Sequence, residues 1–355
     1  MSNFKNKAWR LVPVVLLSGV AMSAYAGDIG VAISINKTRL KASDDIVLNV
    51  TIKNQTSQTL SVLKYQLPGA VLESPLFEIS RNGEVVNYTG KLVKRGRPTA
   101  EDYLVLKPGQ LIQQQIELSS QYDFKDGGQY SIRYVGANKA AHAGLESFAA
   151  TGATPTVDAS GVISVYVDPS PKASTPLAQN LLESLAGGIT TTQCSASQTT
   201  QIKDAYLEAQ KLATDSDAYL AAGKKAARYT TWFGTYDASR YNTVKAHYVA
   251  IKDGFYNKPI KVNCGCSDSS YAYVYPDQPY TIYVCKAFWP APLKGTDSKS
   301  GTLVHELSHF NVVAGTRDHA YGQSAAKSLA ISNPAKAIAN ADSHEYFAEN
   351  TPVQP

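Results

Sequence analysis

The chain has 355 residues, 44% of them hydrophobic and 18% charged, with a formal net charge of +5 at pH 7. This is the composition of an ordinary globular protein, and at about 100 to 200 residues per domain the length suggests two domains. The mild positive charge is not gathered into a basic tract with interleaved aromatics, so a nucleic acid is not expected as partner.

The first 26 residues are not expected to belong to the fold. Lys5, Lys7 and Arg10 precede the apolar run from Leu11 to Met22, and Ser23-Ala-Tyr-Ala26 offers a small-x-small cleavage site before Gly27. A spanning helix needs about 20 apolar residues, far more than this run supplies. Residues 1–26 therefore read as a removed export signal, and a secreted product without a membrane anchor is expected.

Residues 27–168 read as all-β and sandwich-like. Ile46, Leu48, Val50 and Ile52 alternate with Val47, Asn49, Thr51 and Lys53, the period-2 pattern of a strand with one buried face. Phe77 and Ile79 lead through Arg81-Asn-Gly83 into Val85, a hairpin signal. The basic cluster Lys91, Lys94, Arg95 and Arg97 lies beside Gly96 and Pro98 and reads as a solvated loop. Ile116 and Leu118 mark a further strand. Asp126-Gly-Gly-Gln-Tyr130 then resembles the corner before a late strand of immunoglobulin-like sandwiches, where the tyrosine hydroxyl bonds back to the backbone.

Residues 169–189, with Pro169, Pro171, Pro176 and Gly187-Gly188, read as a linker carrying a processing site. From residue 190 to 355 the pattern is mainly helical. Ile202, Tyr206, Ala209 and Leu212 share one helix face, as do Tyr241, Val244, Tyr248 and Ile251. Tyr271 to Tyr275 and Tyr280 to Val284 flank Pro276-Asp-Gln-Pro279 as a hairpin, whose strand could bind an extended substrate by β-addition. All four cysteines, Cys194, Cys264, Cys266 and Cys285, lie in this half. In an exported chain they are expected to form two disulfides, each joining one of Cys264 and Cys266 to Cys194 or Cys285, because a single intervening residue makes too tight a ring for that pair itself. Spacing does not say which goes where.

His305, Glu306 and His309 stand in H-E-x-x-H spacing. On a helix, residues i and i+4 lie one above the other, so both imidazoles can reach one tetrahedral cation while Glu306 faces water at the metal as a general base. A catalytic zinc normally takes three protein ligands. The metzincin position for a third histidine holds Gly315, which leaves Asp318 and Glu345 as candidates. Asp318 is the nearer, since Gly315 permits a sharp reversal after the helix.

His305-Glu-x-x-His309 followed by Gly315-Thr-x-Asp318-x-x-Tyr321-Gly322 resembles the signature of the aspzincins, the deuterolysin family of zinc endopeptidases. The likeness is nearest to the peptidyl-Lys metalloendopeptidases and the secreted bacterial toxic aspzincins. It runs from about Cys194 to the C-terminus and includes Arg228-Tyr-Thr-Thr-Trp-Phe-Gly234, Ala287-Phe-Trp289 and Gly295-Thr-Asp297. The resemblance implies one Zn2+ per chain held by His305, His309 and Asp318, with Glu306 polarising the attacking water. It further implies Tyr321 as hydrogen-bond donor to the oxyanion, and the bridges Cys194–Cys264 and Cys266–Cys285. Asp342 and Glu345 match the D-x-x-E pair that lines the lysine pocket of the Lys-selective branch; at i, i+3 they share a helix face, where the bland alternative is an exposed acidic surface extended by Glu349.

The expected fold is thus an N-terminal all-β, sandwich-like prodomain and a C-terminal mainly helical α+β, zincin-like catalytic domain with a small β-hairpin or sheet. The expected function is a secreted zinc metalloendopeptidase acting on proteins or peptides before lysine, kept silent as a zymogen by its own propeptide. Self-processing could fall at Pro171-Lys172, or nearer Thr190. The rival reading is a noncatalytic secreted binding protein whose zinc staples the fold.

Overall fold

The computed structural model describes residues 27–69, 71–96, 98–136, 155–169 and 188–355. Residues 1–26, read above as an export signal, nearly all of the expected linker with Lys172, and Arg97 lie outside the described residues.

The first half is made of strands: β1 (Ile29–Ile35), β2 (Arg39–Leu40), β3 (Val47–Asn54), β4 (Leu60–Leu63), β5 (Phe77–Arg81), β6 (Glu84–Val85), β7 (Leu92–Lys94), β8 (Tyr103–Leu106), β9 (Leu111–Glu117), β10 (Gly128–Tyr134) and β11 (Ile163–Val167). The alternation read from the sequence is realised in β3, where Leu48, Val50 and Ile52 are buried and the residues between them are half-buried. Each such side chain contributes about 1.5–3 kcal/mol by leaving water. One sheet has the order β1-β3-β9 and another β2-β11-β10-β5-β6. Leu48 and Val50 from the first share a single core with Ile79, Tyr130 and Ile132 from the second. The pairing of Arg81 with Glu84 leaves Asn82-Gly83 as a two-residue turn, with φ of 51° and 88°. Both values are left-handed, as a type I′ hairpin requires.

The tyrosine corner expected at Tyr130 is not formed. Its hydroxyl bonds to no backbone group among the described residues, because Tyr130 turns its ring into the core against Phe124. Tyr134 and Tyr122 make such bonds instead, donating to Gln66 O at 2.6 Å and Phe77 O at 2.9 Å.

The second half contains β12 (Gly188–Thr192), α1 (Ala196–Ala221), α2 (Ala227–Phe233), α3 (Ala238–Asn257), β13 (Pro259–Asn263), β14 (Ala272–Val274), β15 (Thr281–Val284), α4 (Lys299–His309), α5 (Gly322–Ser332), α6 (Pro334–Ala337) and α7 (Ala341–Glu349). α1 starts at a reciprocal cap, in which the Ser195 hydroxyl accepts from Gln198 N and the Gln198 amide oxygen accepts from Ser195 N. Cys194 bonds to Cys264 and Cys266 to Cys285. No helix among the described residues is long and apolar enough to cross a membrane.

The sheet of this half has the order β12-β13-β15-β14-β7, so its last strand comes from the first half of the chain. β7 runs antiparallel to β14, with Lys94 opposite Ala272 and Val93 opposite Tyr273. The solvated loop expected for the basic cluster is therefore wrong at its centre. Lys94 is only 1% exposed; a buried acidic pocket outweighs the solvation that a lysine ordinarily keeps.

α7 packs its whole length into the interior, and the exposed acidic face considered for it is absent: Asp342, Glu345 and Glu349 are all buried. Arg228 of α2 holds it there, donating from Nε to Phe347 O at 2.9 Å with its guanidinium over the Phe347 ring. Beside Glu345, His344 donates from Nδ1 to Asn340 O (2.8 Å) and faces His247 Nδ1 through Nε2 at 3.0 Å. Burial pushes the His344 pKa down to about 3. Since the folded value lies below the unfolded one, His344 contributes stability that is present above pH of about 6.5 and lost as pH falls, by up to about 1.4 kcal/mol per unit. Thermal melts at pH 7 and pH 5 should show a drop in Tm for the wild type that shrinks in His344→Phe. An equal drop in both would assign the acid sensitivity elsewhere.

Candidate active site

α4 carries the H-E-x-x-H residues through the core. Ser298 caps it, its hydroxyl accepting from Gly301 N at 2.9 Å, and every residue from Lys299 to His309 is buried. The chain then reverses. Gly315 has φ 59°, a left-handed conformation that a side chain would strain, and Thr316 N returns to Ser308 O. Asp318 follows. Its loop is fixed to the start of α7, where the Asn340 side-chain oxygen accepts from His319 N and Ala320 N at 2.9 and 3.0 Å.

The result is a tight triangle. His305 Nε2 and His309 Nε2 are 3.1 Å apart, and Asp318 Oδ1 is 3.2 Å from the first and 3.4 Å from the second. Ligands about 2.0–2.1 Å from a tetrahedral zinc stand about 3.3 Å from one another, so these spacings fit such an ion. The charge balance fits as well. Glu306, Asp342, Glu345 and Asp318 are buried carboxylates; both oxygens of Glu306 lack a hydrogen-bond donor among the described residues, and Asp318 faces the two imidazoles of the triangle. Buried charges of this kind persist when they are paired or bind a metal.

The two faces of His305 do different things. Nε2 looks into the triangle, while Nδ1 lies 2.9 Å from Asp342 Oδ1 and 3.2 Å from Glu345 Oε2. A carboxylate behind a ligating imidazole fixes its tautomer and orientation. The same task falls to Thr316 O at His309 Nδ1, 3.0 Å away. Glu345 is thus on the far side of His305 from Asp318. A second cluster, His305 with Asp342 and Glu345, also brings ligand atoms within 4.8 Å, but it already holds a cation.

That cation is the ammonium of Lys94. Its Nζ is 2.5 Å from Glu345 Oε2, 3.5 Å from Asp297 Oδ1 and 3.8 Å from Asp342 Oδ1, and it sits 5.2 Å from the Tyr271 ring centre. Burial opposes the charge, but Glu345, Asp342 and Asp297 outweigh it and hold the Lys94 pKa well above the ordinary value. The sequence marks Asp297 only as part of Gly295-Thr-Asp297, without a partner for its carboxylate. It adopts φ 53° and accepts a hydrogen bond from the Tyr346 hydroxyl at 2.7 Å.

Burial pushes the Glu306 pKa up to about 8 despite the neighbouring His305; a dication beside it would draw that value down again. Burial, reinforced by the Asp318 charge, raises the Tyr321 phenol well above its usual value and keeps it a donor. Its hydroxyl donates to Val93 O at 2.9 Å. Between the two halves a cavity of about 650 Å³ opens beside Asp318 and Tyr321, walled also by Tyr88, Arg95 and His319.

Comparison with known proteins agrees with this chemistry. The family model Aspzincin M35, described as lysine-specific metallo-endopeptidase, matches residues 218–349. An extracellular protease of Aeromonas hydrophila is 44% identical over 322 residues, spanning 88% of this chain and 90% of that protein. A peptidyl-Lys metalloendopeptidase of Grifola frondosa is 36% identical over 363 residues, 97% of this chain and 99% of the relative. A solved zinc peptidase from Grifola frondosa is 48% identical and covers 46% of this chain and 100% of its own, with a TM-score of 0.44.

Proposed function

The chain belongs to the aspzincin family of zinc metalloendopeptidases, and on that premise we propose that it is exported as a zymogen and cuts peptide bonds on the N-terminal side of lysine. His305, His309 and Asp318 hold the zinc, and the Asp342 and Glu345 carboxylates receive the substrate ammonium. The observation that carries the reading is the pairing of the Lys94 ammonium with Glu345 directly behind His305. A lysine side chain is accepted there, one imidazole away from the metal position.

Zinc bound at the triangle supplies Lewis acidity to water and to the scissile carbonyl. The remaining work belongs to the chain. Glu306 takes the proton of the attacking water and passes it to the leaving amine. Tyr321 donates its hydrogen bond to the carbonyl oxygen as negative charge builds there, in a site from which most water is excluded. Asp342 keeps His305 oriented, with its other oxygen tied to Gly322 N at 2.6 Å. Export agrees with the two disulfides, which persist in oxidising compartments. The strand-rich half acts as the propeptide, lying over the cleft through β7.

The specificity is tested with matched peptides carrying Lys, Arg or Leu after the scissile bond. A charge-assisted hydrogen bond contributes about 1.5–3 kcal/mol, so the wild type should prefer Lys over Leu by about 10- to 150-fold in kcat/KM. Glu345→Ala should erase most of that preference. Equal rates for the three peptides in the wild type would remove the acidic-pocket claim.

A further inference from the structure

Two contacts on consecutive residues fix a register. The Val93 carbonyl accepts from the Tyr321 hydroxyl, and the next side chain, Lys94, lies in the acidic pocket. An enzyme that cuts before lysine needs its substrate in this arrangement, with the carbonyl that precedes the lysine at the oxyanion donor and the ammonium in the pocket. The backbone agrees, since β7 extends the sheet beside β14 as an added substrate strand would. The segment is also clamped. Glu73 pairs with Lys91 on one side of β7, at 3.1 Å, and with Arg95 on the other. Leu92 is fully buried in the core of the first half. The cavity beside the segment reaches Arg95, Asp318 and Tyr321.

We propose that residues 91–95 are the enzyme's own first substrate: Lys94 fills its lysine pocket, and the Val93–Lys94 amide is hydrolysed within the same molecule. This inference rests on the reading of Asp342 and Glu345 as the lysine pocket. One water is consumed, the C–N bond breaks, Val93 gains a carboxylate and Lys94 a free amine. While the bond is intact, the pocket is closed to lysine side chains from outside. The cut falls about 95 residues before the expected start of the second domain near Thr190. It is therefore an event distinct from release at the linker.

The first test needs no variant. The full chain, purified in chelator and then given zinc, should yield a fragment whose N-terminal residue is Lys94, at a rate unchanged by tenfold dilution. Glu306→Gln should yield none. The second test needs no catalysis. A fluorescent lysine-containing peptide should bind Lys94→Met in the Glu306→Gln background at least tenfold more tightly than the Glu306→Gln chain itself. Cleavage of added lysine peptides with Val93–Lys94 left intact overturns this inference and leaves the peptidase reading standing. A rate that rises with protein concentration, or peptide binding unmoved by Lys94→Met, overturns it as well. If neither the added peptide nor the chain is cut, both readings fall together.

Discussion

Glu306→Gln is expected to keep its zinc and to lose about 10²- to 10⁴-fold in peptide hydrolysis, the usual contribution of a positioned general base. The substitution is close to isosteric, and Glu306 lies outside the triangle of His305, His309 and Asp318, so the metal ligands are untouched. What disappears is a proton acceptor. Both Glu306 oxygens are buried without a donor among the described residues, so the carboxylate is free to accept from water. An amide can accept a hydrogen bond but cannot hold the proton. Metal analysis and peptide turnover on the same preparation give the answer. Wild-type turnover in the variant refutes the mechanism, and it would favour the rival reading of a zinc that merely staples the fold.

Asp318→Asn should remove the metal itself. Loss of an outer partner of a metal site costs about 10- to 100-fold in affinity, and loss of one of three protein ligands should exceed that. The informative comparison is with Asp342→Asn, where the lost carboxylate stands behind His305 Nδ1 rather than in the triangle. Zinc titrations should rank the affinities wild type, then Asp342→Asn, then Asp318→Asn. The reverse order of the two variants would move the metal to the cluster of His305, Asp342 and Glu345. Peptide cleavage should follow the same order at limiting zinc.

Much of this was legible because it is local. The H-E-x-x-H spacing fixes a helix face, Asn82-Gly83 fixes a hairpin, and the alternation through Leu48, Val50 and Ile52 fixes a buried strand face. Spacing left the partners of four cysteines and the third metal ligand open, and the family resemblance supplied both. The features missed are long-range ones. β7 is three residues long, too short for a period to register, and its partner β14 lies about 180 residues away. Lys94 carries no mark that separates it from its solvated neighbours until Glu345 and Asp297 are placed around it. Asn340 is equally silent in sequence, because its role is to accept from two backbone amides of a loop about 20 residues earlier. A Gly295-Thr-Asp297 match to the family was visible, but the approach of the Asp297 carboxylate to Lys94 exists only once the fold brings them together.

The strand that β7 adds has a further bearing on how such an enzyme is handled before it reaches its destination. Without β7, the outer side of β14 presents bare N–H and C=O groups next to stacked aromatic surface, with the Tyr273 and Tyr283 rings 4.6 Å apart. A flat open edge of this kind is a template for pairing with any extended chain, including another copy of itself. In an incompletely folded chain such an edge would nucleate aggregates. A strand supplied in cis keeps the edge of β14 occupied in the intact chain, so on the proposed reading protection from aggregation and readiness to receive a peptide draw on one and the same hydrogen-bonding edge.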